Sequence, residues 1–341
     1  METVVLGLSG GVDSAVAAAL LKKSGYTVHG LYLDVGVGGS GEADAKAVAE
    51  LLDIPLTVKD VRAELEEHVC APFSAAYLSG RTPLPCARCN RLVKFPALLA
   101  EAERLGAAYT ATGHYARTTP GEADLRKGAP SNDQSYLLAR LTPEQLTRIL
   151  FPLGEYEKAE VRAMAEALGL PVARKKDSME ICFIPDNDYA AWLERRGGAP
   201  PPGNFVTADG RVLGRHKGIH CYTIGQRRGL GIPAEHRLFV SAIVPERNEV
   251  VLSDGGDLMA EDAYGVGLNV LLSPLPQEVT VRLRHSRQET PAALELRDGQ
   301  VHISLKTPAR APTPGQLAVF YDGDRVAGSA WLVPKEETVW N

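Results

Sequence analysis

A short apolar run, a glycine-containing loop and a helix-forming stretch follow one another at the start of the chain. Residues 4–8 are almost continuously apolar, as in a strand that is buried on both faces of a parallel sheet. The loop Ser9-Gly10-Gly11-Val12-Asp13-Ser14 comes next, and an Ala/Leu-rich helix is predicted over residues 15–23. The glycines permit a tight turn, so that the loop amides and the helix N-terminus face one concavity. The segment therefore predicts an anion-binding loop at the end of the first strand of an α/β fold.

This loop differs from the two commonest phosphate-binding motifs. It has no Gly-Lys-Ser/Thr ending, which excludes a Walker A loop. It also lacks the Gly-x-Gly-x-x-Gly spacing of the usual dinucleotide fingerprint. The flanking serines and Asp13 distinguish it from a plain glycine turn that binds nothing. We expect Ser14 to cap the following helix or to bind a phosphate oxygen.

The rest of the first half alternates between strand-like and helix-like periodicity, which predicts a doubly wound parallel sheet of the α/β class. Strands are predicted over 27–33, 54–61 and 108–112, and helices over 42–53, 62–78 and 157–170. After about Pro185 the pattern changes to short strands, predicted over 238–244, 249–252, 279–284, 301–305 and 316–321. A Gly/Pro-rich connector at 197–203 lies between. We predict an α/β domain over 1–196, a small β-rich linking domain over 197–257 and a C-terminal β-barrel over 258–341.

The charge distribution restricts how the chain could hold nucleic acid. The chain has 341 residues and a formal net charge of -5, so it lacks an overall basic excess. Residues 203–231 and 280–310 are locally basic, and Arg282 and Arg284 are predicted to share one strand face. Such patches suit contacts with a phosphate backbone, although ordinary surface arginines give the same pattern. With no signal-like segment and no apolar stretch near 18 residues, we expect a cytoplasmic protein without membrane contact.

The five cysteines are expected to be reduced in that compartment. Cys86 and Cys89 lie in a Cys-Ala-Arg-Cys turn that is predicted to open a helix. There the backbone dipole, helped by Arg88 and Arg91, is expected to favour the thiolate. Cys182 follows a lysine pair at 175–176, which suits either phosphate or solvent.

Three interpretations of the cysteines remain open. All could be buried structural residues, which fits Cys70 and Cys221 best. One cysteine of the turn could pair with Cys182 in thiol–disulfide chemistry. Alternatively, Cys86, Cys89 and Cys182 could be three ligands of an iron–sulfur cluster with one open iron.

The phosphate loop resembles the signature of the PP-loop ATP pyrophosphatases, which activate an oxygen as an adenylate and release pyrophosphate. Ordered motifs along almost the whole chain make it similar to the tRNA-specific 2-thiouridylase family. The motifs are Gly80-Arg81-Thr82-Pro83, Cys89-Asn90 with Lys94-Phe95, Ala111-Thr112-Gly113-His114-Tyr115, Asn132-Asp133-Gln134-Ser135-Tyr136, Lys176-Asp177-Ser178, Ile181-Cys182-Phe183-Ile184, Tyr222-Thr223-Ile224-Gly225-Gln226-Arg227-Arg228-Gly229-Leu230-Gly231 and Thr313-Pro314-Gly315-Gln316.

The resemblance implies a PP-loop, adenine-nucleotide alpha-hydrolase-like fold and ATP-dependent 2-thiolation of the wobble uridine in the tRNA anticodon stem-loop. It implies ATP and Mg²⁺ as cofactors. It implies tRNA and a sulfur donor, such as a cysteine desulfurase or a sulfur-relay protein, as partners. Cys182 would carry a persulfide, Cys89 would end in a disulfide with Cys182, and Asp13 would act with them in catalysis.

Binding residues are implied in the same way. ATP would be held by Gly7, Leu8, Ser9, Gly10, Gly11, Val12, Asp13 and Ser14, bordered by Leu33 and Gly113. The target base would lie against Leu84, Pro85 and Cys86. Other tRNA contacts are implied for His114, Asn132, Asp133, Gln134, His285, Ser286 and Gln316. For His114, a buried and structurally satisfied histidine is the alternative.

One position departs from the common pattern of that family, because many members have Asp where this chain has Cys86. The turn thereby becomes Cys-x-x-Cys, a form associated in part of the family with a [4Fe–4S] cluster completed by the distant Cys182. Cys86 is otherwise a spectator thiol, and the final sulfur step stays open between the two routes.

Other functions remain open at the level of sequence. Another PP-loop ligase or amidating synthetase would share the phosphate loop but would need neither the cysteine pair nor a β-rich RNA-binding half. A non-catalytic ATP-binding or tRNA-binding protein would leave Asp13 and the cysteines dispensable.

Overall fold

The computed structural model describes residues 2–176, 181–286 and 288–341. The strands in chain order are β1 (Thr3–Gly7), β2 (Thr27–Asp34), β3 (Leu56–Asp60), β4 (Tyr109–Ala111), β5 (Ala116–Arg117), β6 (Arg126–Lys127), β7 (Ile149–Leu150), β8 (Gly203–Val206), β9 (Val212–His216), β10 (Phe239–Val244), β11 (Glu249–Ser253), β12 (Met259–Val270), β13 (Glu278–Arg282), β14 (Thr290–Arg297), β15 (Gln300–Arg310), β16 (Leu317–Asp322) and β17 (Arg325–Val333).

The α-helices are concentrated in the first 200 residues. They are α1 (Val12–Lys23), α2 (Gly41–Leu51), α3 (Arg62–Leu65), α4 (Ala71–Leu78), α5 (Pro85–Cys89), α6 (Phe95–Leu105), α7 (Ser135–Leu138), α8 (Pro143–Leu146), α9 (Lys158–Ala167) and α10 (Tyr189–Arg196). Two π-helical turns, Glu66–Cys70 and Asn90–Lys94, join α3 to α4 and α5 to α6. The stretch predicted as one helix over 62–78 is therefore helical throughout but contains a π turn.

The first sheet is parallel and has the strand order β3-β2-β1-β4-β7. Val4 and Leu6 belong to the core cluster that contains α1, α2 and α9, whereas Val5 belongs to the cluster that contains α6. Apolar residues thus cover both faces, which confirms the doubly wound α/β fold. The chain leaves β1 toward β2 and β3 and then returns to the other side at β4. Ligands of such folds bind outside the carboxyl ends of the strands at this switch point.

The second half is built from antiparallel sheets. A four-stranded sheet has the order β10-β11-β8-β9, with β8 and β11 parallel. A second sheet runs β12-β15-β14-β13-β16-β17, and pairing between β12 and β17 closes it into the predicted barrel. The helix α10 and the strand β8 were not predicted. They flank the predicted connector at 197–203, whose last residue already belongs to β8.

The barrel is joined to the α/β half through a shared core. Phe95 and Tyr136 pack in the same cluster as Leu317 and Tyr321 of the barrel. The Tyr136 hydroxyl donates to the carbonyl oxygen of Leu317 at 3.0 Å. In addition, the hairpin β5–β6 pairs with the barrel strand β17. The barrel is therefore joined to the α/β half by apolar packing, a hydrogen bond and strand pairing.

Candidate functional site

The phosphate loop between β1 and α1 is held in a closed turn by its own residues. Gly10 has φ +72°, and a Cβ there would overlap the carbonyl oxygen of Gly41 at the start of α2. The Ser14 hydroxyl accepts from the Ser9 amide at 3.2 Å and donates to the Gly11 carbonyl oxygen at 3.1 Å. Ser14 thus ties the two ends of the turn together. Ser14 does not cap α1, because the N-cap position is occupied by Gly11, which has no side chain that could accept a capping hydrogen bond.

Gly113, just after β4, forms the opposite side of the crevice at the switch point. A Cβ on Gly113 would lie 2.8 Å from the Asp13 carbonyl carbon and from the Ser14 amide nitrogen. The two backbones can approach this closely only because Gly113 has no side chain. The structure therefore brings Gly113 against the predicted ATP residues 7–14. Leu33, near the end of the adjacent β2, is half-buried.

The charges around the loop are paired within the protein. Both oxygens of Asp13 accept from the Lys158 ammonium at 2.7 Å, and one also accepts from the Tyr115 hydroxyl at 2.7 Å. Lys175 donates to the Gly10 carbonyl oxygen at 2.9 Å and binds the Asp44 carboxylate. The hydrogen bond from Lys175 lowers the pKa of Asp44. Lys175, one of the two lysines predicted to meet phosphate or solvent, thus supports the back of the loop.

The cysteines of the turn and Cys182 meet in one electrostatic environment. Cys86 lies in the first turn of α5 and Cys89 ends that helix. Each thiol pKa is raised further by the negative charge that the Cys182 thiolate would carry, which places Cys182 within electrostatic reach of both. Phe183 and Ile184 are buried and anchor the segment that carries Cys182. In the motif Lys176-Asp177-Ser178, Asp177 and Ser178 lie outside the described residues.

The expectation that this turn favours the thiolate was wrong. Surrounding protein withdraws the thiols from bulk solvent, which raises the pKa of Cys86 and Cys182 and raises the pKa of Cys89 to about 11. The side chains of Cys86 and Cys182 nevertheless remain solvent-accessible. An accessible group surrounded by protein lies in a cleft, where water reaches the sulfur but solvates an anion poorly.

The two predicted arginines point away from the thiols. Arg88 donates to the His68 carbonyl oxygen at 3.0 Å, and Arg91 donates to the Arg140 carbonyl oxygen at 3.2 Å. The nearby cation is instead Lys94, which lowers the pKa of all three thiols and so opposes the effect of desolvation. Lys94 is half-buried and has no ion-pair partner among the residues that the structure describes. The sequence contained this lysine in a family motif but gave it no role.

His114 connects the two parts of the site. It directly follows Gly113, and its Nδ1 lies 2.7 Å from the Thr112 hydroxyl. Desolvation, and then the charge of Lys94, lower the pKa of His114 well below its usual value, so the imidazole is neutral at pH 7. Residues 113–114 therefore contact the phosphate loop on one side and lie within electrostatic reach of Lys94 on the other.

The barrel holds the segment that leads into the cysteine turn. The Gln316 amide donates to the carbonyl oxygens of Thr82 and Pro83 at 3.0 and 3.3 Å. The Thr82 amide donates in return to the Pro314 carbonyl oxygen at 3.0 Å. Leu84 and Pro85 are buried, so that among residues 84–86 only Cys86 is solvent-exposed. The predicted contact residue Gln316 thus positions this segment.

The predicted tRNA residues 132–134 make internal contacts. The Asp133 carboxylate accepts from the Gly128 and Ser135 amides and pairs with Arg282, and the two side chains are only 6% and 9% exposed. The Gln134 side chain accepts from the Tyr115 amide at 3.0 Å. The side-chain amide of Asn132 lies 2.7 Å from the Lys158 amide nitrogen. Asn132 and Gln134 thus stabilise the segments next to the switch point, and Asp133 links them to the barrel through Arg282.

Part of the predicted basic patch is also internal, which corrects the expectation for Arg282 and Arg284. Arg282 pairs with both Asp133 and Glu289, and β13 ends there. Arg284 donates to the Ala311 carbonyl oxygen and the Thr313 hydroxyl. Arg287 lies outside the described residues, whereas His285 is exposed and Ser286 half-buried. Arg227 and Arg228 are exposed and have no ion-pair partner within the described part of the chain.

The remaining cysteines differ from each other. Cys70 is buried, as predicted, and desolvation raises its pKa to about 12. Cys221 is half-buried beside His220.

Among the described residues, no helix is long and apolar enough to cross a membrane.

Three family models match consecutive parts of the chain. Residues 2–186 match the tRNA methyl transferase HUP domain, residues 191–254 the tRNA methyl transferase PRC-barrel domain, and residues 268–332 the aminomethyltransferase beta-barrel domain. Among solved structures, NMN synthetase from Francisella tularensis aligns with a TM-score of 0.39 at 23% identity, over 52% of this chain and 66% of its own. A 4-thiouridine synthetase aligns with a TM-score of 0.37 at 20% identity, over 57% of this chain and 50% of its own.

Curated relatives match over nearly their whole length. The tRNA-specific 2-thiouridylase MnmA of Lachnoclostridium phytofermentans is 43% identical over 98% of this chain and 100% of its own. MnmA 1 of Caldanaerobacter subterraneus is 44% identical over 97% of this chain and 98% of its own. MnmA of Syntrophotalea carbinolica is 45% identical over 96% of this chain and 98% of its own.

Proposed function

This chain belongs to the tRNA-specific 2-thiouridylase family, and from that premise we propose that it is an ATP-dependent sulfurtransferase that replaces O2 of the tRNA wobble uridine by sulfur. The observation that carries this proposal is the position of residues 113–114 between the phosphate loop and the thiols. Gly113 contacts Asp13 and Ser14, and His114 is within electrostatic reach of Lys94. This arrangement supports a mechanism in which one uridine meets both the phosphate loop and the thiols.

The phosphate loop performs the activation step in this proposal. Uridine O2 attacks the α-phosphorus of ATP, an O–P bond forms and pyrophosphate leaves. The backbone amides after Gly10 and the N-terminus of α1 stabilise the charge that develops on the phosphates. Because Lys158 already compensates the charge of Asp13, we assign Asp13 to holding the loop rather than to catalysis. For the same reason the Asp13 carboxylate does not fit a ligand of a protein-bound Mg²⁺.

The sulfur step uses Cys182 and Cys89. The terminal sulfur of a Cys182 persulfide attacks C2 of the adenylated uridine, and AMP leaves with the former O2. The Cys89 thiolate then attacks the Cys182 sulfur. The bond between the Cys182 sulfur and the sulfur attached to C2 breaks. The C2 position becomes a thiocarbonyl, and a Cys89–Cys182 disulfide forms. Lys94 stabilises the sulfur anions, which the cleft otherwise disfavours.

The three thiols also fit a [4Fe–4S] cluster. Cys86, Cys89 and Cys182 are the required soft donors, none is consumed in a disulfide, and Cys86 and Cys182 are exposed. A bound cluster would be held by these residues and would supply an open iron as a sulfur carrier. Anaerobic purification distinguishes the routes: bound iron that is lost in Cys86→Ala supports the cluster, and iron-free active protein refutes it.

We propose that the three domains have different roles. Residues 1–196 carry out catalysis, residues 197–257 form a linking domain, and residues 258–341 form a barrel that contacts tRNA. The exposed Arg227 and Arg228 suit backbone phosphates, and the exposed Cys86 and His285 suit an unstacked loop base. Residues 132–134 and Gln316 act by bracing these surfaces. After each turnover an external thiol reductant must reduce the Cys89–Cys182 disulfide, and a separate sulfur donor must then reload Cys182, since each cycle consumes one persulfide sulfur.

The direct test is incubation of purified protein with ATP, Mg²⁺, a persulfide donor and unmodified tRNA, followed by digestion and nucleoside mass spectrometry. We expect 2-thiouridine that depends on ATP, under aerobic or anaerobic conditions. Absence of the thiolated nucleoside under both conditions would overturn the proposal. A methylated nucleoside formed in a parallel reaction that also contains a methyl donor would instead favour the activity in the names of the matching family models.

A further inference from the structure

We propose that Glu194, His220 and Cys221 form a binding site for a divalent metal ion of the zinc class, separate from the thiols of the sulfur-transfer site. His220 Nε2 lies 3.4 Å from a Glu194 carboxylate oxygen and 3.5 Å from the Cys221 sulfur. One potential ligand atom from each residue lies within 4.8 Å of the other two. These three residues are the only such group within the part of the chain that the structure describes.

The donor set and its spacing suit Zn²⁺. Imidazole nitrogen, thiolate sulfur and carboxylate oxygen are all common zinc ligands, with bonds of about 2.0–2.3 Å. Ligand atoms around a tetrahedral zinc ion of that size are roughly 3.3–3.6 Å apart. The two distances to His220 Nε2 already lie in this range. Only a small movement of the Glu194 side chain, which is 55% exposed, would complete a three-ligand set with water as the fourth ligand.

The imidazole lacks the usual partners of a buried histidine. His220 is 1% exposed, and its buried Nδ1 has no hydrogen-bond partner among the residues that the structure describes. Its other nitrogen faces only Glu194 and Cys221 among the described residues. A buried polar group usually has satisfied contacts. A metal ion at Nε2 would replace the two long contacts of that nitrogen with one strong bond, and Nδ1 would then be the protonated nitrogen of the imidazole.

The position of the site suggests what the ion does. Glu194 lies on α10, whose Trp192 ring packs 5.3 Å from Phe183, the residue after Cys182. His220 and Cys221 lie on the short turn Ile219–Cys221, which follows β9 of the four-stranded sheet. A metal ion would therefore clamp α10 to the linking sheet and fix the anchor of the Cys182 segment. Its binding forms Zn–N, Zn–O and Zn–S bonds and releases the Cys221 thiol proton to solvent, without oxidation.

Co²⁺ titration of the full chain tests this site. The three other accessible thiols are first removed in a Cys86→Ser/Cys89→Ser/Cys182→Ser background, which leaves Cys221 and the buried Cys70. We expect one equivalent of Co²⁺ to bind with a thiolate charge-transfer band and tetrahedral visible bands, and Zn²⁺ to displace it. No band in this background, or saturation only at millimolar Co²⁺, would overturn the site.

Single substitutions in that background identify the ligands. Cys221→Ser should remove the charge-transfer band. Glu194→Gln, at an exposed position that does not threaten folding, should keep the band and weaken Co²⁺ binding at least about tenfold. Cys70→Ala is the matched control and should change neither. A band that persists in Cys221→Ser, or unchanged affinity in Glu194→Gln, would contradict the proposal.

Discussion

The phosphate loop and the sulfur region are neighbours in this molecule but are built in opposite ways. The loop is local: residues 7–14 form the turn, and the hydroxyl of Ser14 closes it. The sulfur region is assembled from distant segments, with Cys86 and Cys89 on one helix and Cys182 on a later loop. The barrel residue Gln316 secures the approach to it. A locally formed loop therefore lies beside a cysteine region whose geometry depends on contacts between distant segments.

The two regions also differ in how charge is balanced. Around the loop, Asp13 is paired with Lys158 and Asp44 with Lys175. In the sulfur cleft, no carboxylate pairs with Lys94 among the described residues, and this lysine faces thiols that desolvation keeps protonated. The carboxylates of Asp13 and Asp44 beside the loop are thus already neutralised by lysines without a bound substrate. Within the described part of the chain, the cleft thus holds a cation without a carboxylate partner, which suits an anion that forms only during the proposed reaction.

The largest expected effect is the loss of product in Cys182→Ser, which separates sulfur transfer from ATP binding. Cys182→Ser removes the persulfide carrier, so 2-thiouridine should fall below detection while ATP binding stays unchanged. Nucleoside mass spectrometry and calorimetric ATP titration measure the two properties. Cys70→Ala, a change at the buried cysteine, should retain product formation. Turnover in Cys182→Ser would remove its assigned role.

The second effect falls on the loop. Gly10→Ala should weaken ATP binding at least about tenfold, because the new methyl group would overlap the Gly41 carbonyl oxygen and force the turn to move. Gly106→Ala is the matched control. Gly106 has a similar φ of +65°, but a Cβ there would meet nothing within 4 Å. Equal ATP affinities of the two variants would show that the close packing at Gly10 is irrelevant.

The third effect concerns the charge of the cleft. Alkylation of Cys89, followed by peptide mass spectrometry, should accelerate with pH until it levels off near its pKa of about 11. Because Lys94 lowers that pKa, Lys94→Met should move the midpoint to higher pH and slow thiolation roughly tenfold at neutral pH. Lys46→Met, at an exposed helix position, is the control. An unchanged alkylation profile in Lys94→Met would exclude this role.

The smallest effect tests the barrel contact. Gln316→Ala removes two hydrogen bonds to residues 82–83, which should cost about 1 kcal/mol and reduce the thiolation rate roughly fivefold. If Gln316 acts by positioning, tRNA affinity in a filter-binding assay stays unchanged. A loss of affinity that fully accounts for the lost rate would instead make it an RNA contact.

The local features were predictable from sequence and the distant ones were not. The alternating periodicity correctly predicted the doubly wound sheet, and the strand–loop–helix order correctly placed the loop between the first strand and the first helix. By contrast, the nearest cations in sequence, Arg88 and Arg91, turn toward carbonyl groups elsewhere. Lys94, one π-helical turn after Cys89, supplies the charge instead.

Long-range pairing explains the other differences. Arg282 is positioned on its strand like a phosphate contact, but a carboxylate 149 residues earlier, Asp133, binds it. The sequence gives no sign of such a partner, because periodicity reports only which face of an element is buried. The convergence of Glu194 with residues 220–221 was hidden for the same reason.

The most direct test of the account asks whether both regions act on the same oxygen. An anticodon stem-loop whose wobble uridine carries ¹⁸O at O2 is incubated with ATP and the persulfide-loaded protein, and the mass of the released AMP is measured. We predict one ¹⁸O in AMP for each 2-thiouridine formed, because O2 leaves with the adenylate. Formation of 2-thiouridine with unlabelled AMP would contradict the central claim that activation at the phosphate loop precedes sulfur attack at the same uridine.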